Sequence, residues 1–204
     1  MPLLEHLLEF IGGEGAYGAI VDTALAHYQF EAIHPFEDGN GRLGRLLIAL
    51  QLLLRGVMDR PLLYLGAFFE AHDEDYRDGL LLVSTRGRWE AWVEFFLEAV
   101  RASAEDARLR VQRAMDLRDR YEKAVVGVSN SQAPLAAIPL VMRQVYVSVG
   151  DVERHAMVTY PTARAAIATL VSIGALVPHG RIQGRRLWVA AELLREVYEE
   201  PGER

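Results

Sequence analysis

The chain has 204 residues, a formal net charge of −6, 51% hydrophobic and 25% charged residues, and no cysteine. That composition fits a globular protein of one large or two small domains and excludes disulfides and thiolate metal sites. No apolar run approaches the ~20 residues a membrane helix needs, and the start has no basic signal-peptide region, so a reducing cytoplasm is the expected location. Charge is unevenly placed. Residues 1–130 hold 14 Lys and Arg against 21 Asp and Glu, and residues 131–204 hold 8 against 7. Phosphate neutralisation dominates nonspecific nucleic-acid affinity, so the first part argues against such binding and the second stays a candidate.

In chain order, residues 15–33 read as a helix with Ile20, Val21, Ala24, Leu25, Tyr28 and Ala32 on a broad apolar face. Pro35 stops it, because the residue before a proline is pushed out of the helical region. Helix resumes near Arg42 and is apolar on nearly all sides through Leu53, a pattern typical of a helix at a domain centre. Further helical stretches cover 62–72 and 74–84. A long one starts near Arg88, carries Trp89, Trp92, Phe95 and Phe96 as core residues, and continues, itself or through a successor, across 104–123. His27 and His72 read as helix residues without chemistry. Residues 127–134 are small and polar and end in Pro134, which marks a linker. Beyond it, helices are expected at 135–147 (Pro139 in the first turn), 149–155 and 159–173 (Pro161 in the first turn). Gly174 stands at the last helix's C-terminal cap. Strands are expected at 175–177 and 186–190, around a turn that starts at His179-Gly180 and holds Gln183-Gly184. Three helices and a two-stranded wing is the winged-helix order. The expected fold is therefore mainly α: a helical bundle over 1–126, a linker at 127–134 and a small winged-helix domain over 135–204.

The chemistry concentrates in residues 34–45, His-Pro-Phe-Glu-Asp-Gly-Asn-Gly-Arg-Leu-Gly-Arg. A helix N-terminus presents unpaired N–H groups and partial positive charge, which attract phosphate. A glycine-rich approach lets those groups form an anion-binding concavity, and Gly39-Asn40-Gly41 ahead of Arg42 supplies one. Arg42 and Arg45, three apart, share a helix face, and guanidinium forks pair phosphate oxygens bidentately. Asp38 offers the hard oxygen that Mg²⁺ prefers beside phosphates. His34 brings an imidazole, a side chain that exchanges protons near neutral pH. No second histidine lies near Asp38 at zinc-ligand spacing.

These twelve residues resemble the signature of the Fic family, His-x-Phe-x-(Asp/Glu)-Gly-Asn-Gly-Arg-x-x-Arg, at every fixed position. The resemblance extends to Ala24-Leu-Ala-His-Tyr-Gln-Phe-Glu-Ala-Ile before the loop and Trp89-x-x-Trp-x-x-Phe-Phe-Leu after it, roughly residues 1–125. It implies a protein adenylyltransferase that moves AMP from ATP to a Ser, Thr or Tyr hydroxyl of a target protein. By that resemblance His34 is the general base and Phe36 packs inward to hold the loop. Asp38 places Mg²⁺ on the α and β phosphates. Gly39, Asn40, Gly41 and Arg42 cradle phosphates, Arg45 meets the γ-phosphate, and Tyr76 lies near the adenine. The Gly-Asn-Gly-Arg loop differs from the Asn-Lys-Arg form of phosphorylating relatives and favours nucleotidyl transfer. Many members also carry an upstream docking hairpin, an inhibitory (Ser/Thr)-x-x-x-Glu-(Gly/Asn) helix and a homodimer interface. Neither the hairpin nor the helix motif is read here.

Two other readings use the same residues. One is a regulator or interaction protein that keeps the loop as a nucleotide sensor. Its winged helix would contact DNA through Thr162 and Arg164 of the third helix and Arg181, Arg185 and Arg186 of the wing, or else serve packing or dimerisation. The other is hydrolytic removal of AMP from a modified protein.

Overall fold

The computed structural model describes residues 2–13, 15–182 and 184–198. The fold is mainly α, as the sequence pattern implies, with a three-stranded sheet where two strands were expected: Tyr146–Val147, expected as the end of a helix, form the extra strand. The chain forms two compact units, Met1–Ala107 and Arg108–Arg204. The division falls inside a helix and not at 127–134. That helix runs to Val128 and places Leu117, Tyr121 and Val125 in the second unit's core, which leaves only Ser129, Asn130 and Ser131 before the next helix.

The first unit comprises α1 (Pro2–Gly12), α2 (Ala19–Ile33), α3 (Asn40–Leu54), α4 (Gly66–Ala71), α5 (Asp73–Arg86) and the first part of α6 (Trp89–Val128). The sequence expected α2 from residue 15. It starts at Ala19 because Gly18 holds φ 98°, outside the helical region. α2 is the central helix. Ala24 and Tyr28 join Ile48, Leu52, Phe69, Trp92 and Phe96 in the main core, while Ala26 and Phe30 pack with Leu7 of α1 on another side. The Trp92 indole N–H donates to the Ala24 carbonyl at 2.9 Å, a buried bond that pins α6 to α2.

Helix α3, expected to be buried all round, is not. It packs on α2 along one side and leaves Leu46 64% and Leu54 71% exposed. Asp22 anchors the first turn of α2. Its carboxylate accepts from the Ala16 and Tyr17 N–H groups at 3.3 and 3.2 Å and pairs with Arg55 after α3 at 3.5 Å.

The second unit holds the rest of α6, α7 (Gln132–Arg143), β1 (Tyr146–Val147), α8 (Val149–Ala156), α9 (Tyr160–Ser172), β2 (Val177–Ile182), β3 (Arg185–Val189) and α10 (Ala191–Leu193), which continues as a π turn over Leu194–Tyr198. The sheet order is β1-β3-β2, antiparallel throughout. α7 starts three residues before the expected point because Ser131 caps it by accepting the Ala133 N–H. Pro134 is then in the first turn and Pro139 lies inside the helix. α8 is fixed by a reciprocal capping box between Ser148 and Asp151. Gly174 adopts φ 78° after α9. His179–Ile182, expected as turn, are strand. Gln183 lies outside the described residues, and Gly184 has φ 77°.

Candidate active site

The site is built where α2 ends and α3 begins. His34 is the C-cap of α2 in the left-handed conformation, φ 48°, and its N–H donates to the Phe30 carbonyl at 3.0 Å. A non-glycine residue held there is uncommon. It turns the chain out of α2 and leaves the imidazole exposed. Gly39, φ 84°, is the N-cap of α3 and its carbonyl accepts the Leu43 N–H. Between these two left-handed residues the chain reverses, so the His34 side chain and the first turn of α3 flank one loop. The early N–H groups of α3 have no acceptor within the helix and carry its positive dipole end.

Asn40 holds this loop. Its side chain is 2% exposed. It accepts the Phe36 N–H at 3.0 Å and donates to the Phe36 carbonyl at 2.6 Å. The amide is thus engaged inside the loop and does not point at a phosphate. Phe36, expected to pack inward, has a ring 49% exposed. It serves the loop through its backbone. Asn40→Ala strips both Phe36 groups of their partner, and a loss of about 1–3 kcal/mol of unfolding free energy is expected, read by urea denaturation. Asn40→Asp keeps only the acceptor and should fall between alanine and the parent.

The charged residues lie on the open side. Asp38 accepts the Gly39 N–H at 2.7 Å and pairs with Arg42 at 3.2 Å, and both side chains are largely exposed. An exposed pair of this kind is weak and free to rearrange around an anion. A Cβ on Gly41 would lie 3.4 Å from Arg45 Nη1, so the Arg45 guanidinium folds back along α3 toward its first turn. Among the described residues no group of three His, Asp or Glu could hold a metal alone. Asp38 still fits Mg²⁺ in one respect: it is a single accessible carboxylate where phosphate oxygens would complete the shell.

Beneath the loop lies a polar cluster whose residues carried no role in the sequence. His27 and Glu31, one turn apart on α2, both face Gly44 of α3, and any side chain at Gly44 would collide with the Glu31 carboxylate. His27 Nε2 bonds the Tyr76 hydroxyl at 3.0 Å, while its Nδ1 and Glu31 Oε1 are buried without aligned partners. Tyr76 therefore turns its hydroxyl into the core, its ring stacked 4.9 Å from Phe69. Burial raises the Glu31 carboxyl above its usual range, with the charges of His34 and Arg45 opposing. Burial, then the Glu31 charge, pushes the Tyr76 phenol up. The α2 spacing of His27 and Glu31 was visible in the sequence. The missing signal was that Gly44 exists to admit them.

Burial lowers His27 to about 4, with the Gly44 backbone partly opposing and the Arg45 charge adding. The unfolded chain protonates this imidazole near 6.5 and the folded chain only near 4. Stability from His27 is thus full above 6.5 and falls as pH drops toward 4, by up to about 3 kcal/mol. Glu31, raised when folded, contributes the opposite slope above its own unfolded value. Urea melts at pH 7 and 4.5 should show a larger loss for the parent than for His27→Gln.

The other predicted contacts lie in the second unit. Arg164 is exposed on α9, Thr162 is half-buried and its hydroxyl bonds Thr159 at 2.9 Å, and Arg181, Arg185 and Arg186 are exposed on the β2–β3 hairpin. No helix among the described residues is long and apolar enough to cross a membrane.

Comparison with known proteins bears on the same region. Residues 1–52 match the Fic/DOC family. A probable protein adenylyltransferase of Aquifex aeolicus is 33% identical over 57 residues, 28% of this chain and 18% of that protein. A protein adenylyltransferase of Caenorhabditis elegans is 36% identical over 58 residues, 28% of this chain and 11% of that protein. One from Aedes aegypti is 38% identical over 56 residues, 26% and 11% of the two chains. The chain thus spans less than a fifth of the length of these relatives. The crystal structure of a Fic family protein from Desulfovibrio desulfuricans G20 aligns with a TM-score of 0.47 at 23% identity, over 92% of this chain and 54% of that one.

Proposed function

We propose, on the premise that the match of residues 1–52 to the Fic/DOC family reflects membership, that this chain transfers AMP from ATP to a hydroxyl of a target protein. The observation that carries the proposal is the pairing of an exposed imidazole, His34, with the N-terminus of α3 across one loop held by Asn40. The names of the partial relatives, protein adenylyltransferases, support the same class.

In this reading the triphosphate lies along the first turn of α3. Its N–H groups and dipole hold phosphate oxygens, and Arg42 leaves Asp38 to pair one of them. Arg45 reaches the terminal phosphate. Mg²⁺, held by Asp38 together with phosphate oxygens, would neutralise charge on the leaving group. His34 takes the proton from the target hydroxyl as its oxygen attacks the α-phosphorus. The new O–P bond forms as the α–β bridging bond breaks, and pyrophosphate leaves with the electron pair. Positioning and fixed charge supply most of the acceleration. The target is a Ser, Thr or Tyr side chain.

Labelled ATP tests the reaction type. Label at the α-phosphate should enter protein and label at the γ-phosphate should leave as pyrophosphate. Retention of γ-label on protein would mean phosphoryl transfer, and α-label found only in free AMP or ADP, with γ-label in free pyrophosphate or phosphate, would mean hydrolysis.

A further inference from the structure

A second anion-handling surface lies wholly in the second unit. A cleft of about 580 Å³ opens between α8, α9 and the β2–β3 hairpin, and five guanidinium groups line it: Arg154, Arg164, Arg181, Arg185 and Arg186. The chain as a whole is acidic, yet residues 143–190 hold 6 Arg against 2 carboxylates. Arg154 is paired with Asp151. Among the described residues, the other four form no ion pair.

The hairpin is costly as it stands. Arg181 and Arg186 are directly opposite across the strands, with Arg185 opposite Ile182 next to them. Like charges in opposed positions destabilise a sheet pair. Every residue of β2 is exposed, so no core packing offsets that repulsion along the strand. Arg186 is braced over the Trp188 ring at 5.2 Å. An anion between the arginines removes the repulsion.

We propose that this cleft binds the phosphate backbone of duplex DNA. The shape of α9 selects among polyanions. Next to Tyr160, Pro161 and Arg164, its exposed face carries only small side chains, Ala165, Ala168 and Ser172. Such a face lets a helix approach the ~12 Å major groove of DNA, whereas the deep, narrow major groove of duplex RNA shuts a helix out. The same small side chains offer few hydrogen bonds to base edges. Binding is therefore dominated by phosphate contacts and discriminates weakly between sequences.

The test uses the full chain and a fluorescently labelled mixed-sequence DNA duplex, titrated by anisotropy from about 50 to 200 mM salt. The expected result is binding whose log–log salt slope is roughly −3 to −4, one phosphate per unpaired arginine. The combined variant R181Q/R185Q/R186Q should flatten that slope by about 3 and weaken binding at least tenfold at the lowest salt. Arg164→Gln, on a different element, should flatten it by about 1. All four side chains are exposed, and circular dichroism melts no lower than the parent's confirm that the variants fold. His34→Ala should bind DNA as the parent does, so this result stands apart from AMP transfer. No binding at low salt overturns the proposal, as do unchanged slopes in folded variants. Polyglutamate competing as well as DNA, or tighter binding of duplex RNA, overturns the choice of DNA.

Discussion

On the proposed function, His34→Ala should lower AMP transfer about 10²–10⁴-fold, the usual contribution of a general acid or base, and leave nucleotide binding largely intact. The side chain is exposed at the C-cap of α2, so its removal opens no cavity. Its backbone, at φ 48°, needs a second variant. Alanine in the left-handed region costs about 1–2 kcal/mol, and part of any effect could arise from a shifted loop. Asparagine tolerates that region and cannot act as the base. His34→Asn should therefore melt close to the parent and transfer as slowly as alanine. If asparagine restores transfer, His34 acts through its backbone angle and not its imidazole.

Asp22→Ala carries the largest expected loss of stability, about 3–5 kcal/mol, the range for breaking a buried ion pair from one side. The Asp22 side chain is fully buried and that of Arg55 12% exposed. Both carboxylate oxygens are engaged, one by the Ala16 and Tyr17 N–H groups and the other by Arg55. Gly15, at φ 75°, packs so closely that a side chain there would strike the same carboxylate. Truncation thus releases the entry to α2 and its tie to the end of α3 together. Against a typical total of about 5–15 kcal/mol, much of the unit's stability goes. Asp22→Asn keeps an acceptor for the N–H groups and should lose roughly half as much. A urea midpoint unchanged in the alanine variant would show that Arg55 and the loop find other partners.

The local structure of the loop was legible because its residues are contiguous. His34, Asp38, Gly39, Arg42 and Arg45 fall on one loop and one helix turn, and local rules read such runs well: Pro35 to stop a helix, Gly39 to permit a left-handed N-cap. The contacts of Phe36, Asn40 and Tyr76 were not legible because they are set by neighbours. Asn40 turns back on Phe36, and Tyr76 turns to His27 across 49 residues. The His27–Glu31–Gly44 cluster needed α2 and α3 packed together before it had meaning. On the fold, periodicity located the helices, while apolar content alone could not rank α2 and α3. The seven leucines of α3 suggested a central helix, but the buried Asp22 and His27 mark α2 as the one enclosed. The unit boundary was missed for a related reason: nothing in the polar 104–123 stretch announces that Leu117, Tyr121 and Val125 alternate onto a core face.

The most direct measurement is intact-protein mass spectrometry of a target-containing extract fraction after incubation with Mg-ATP and the parent chain, His34→Ala or His34→Asn. The expected result is a mass gain of one adenylyl group on a target with the parent, with matching pyrophosphate release, and none with either variant. A gain of one phosphoryl group, or an adenylyl gain that persists in both variants, contradicts it.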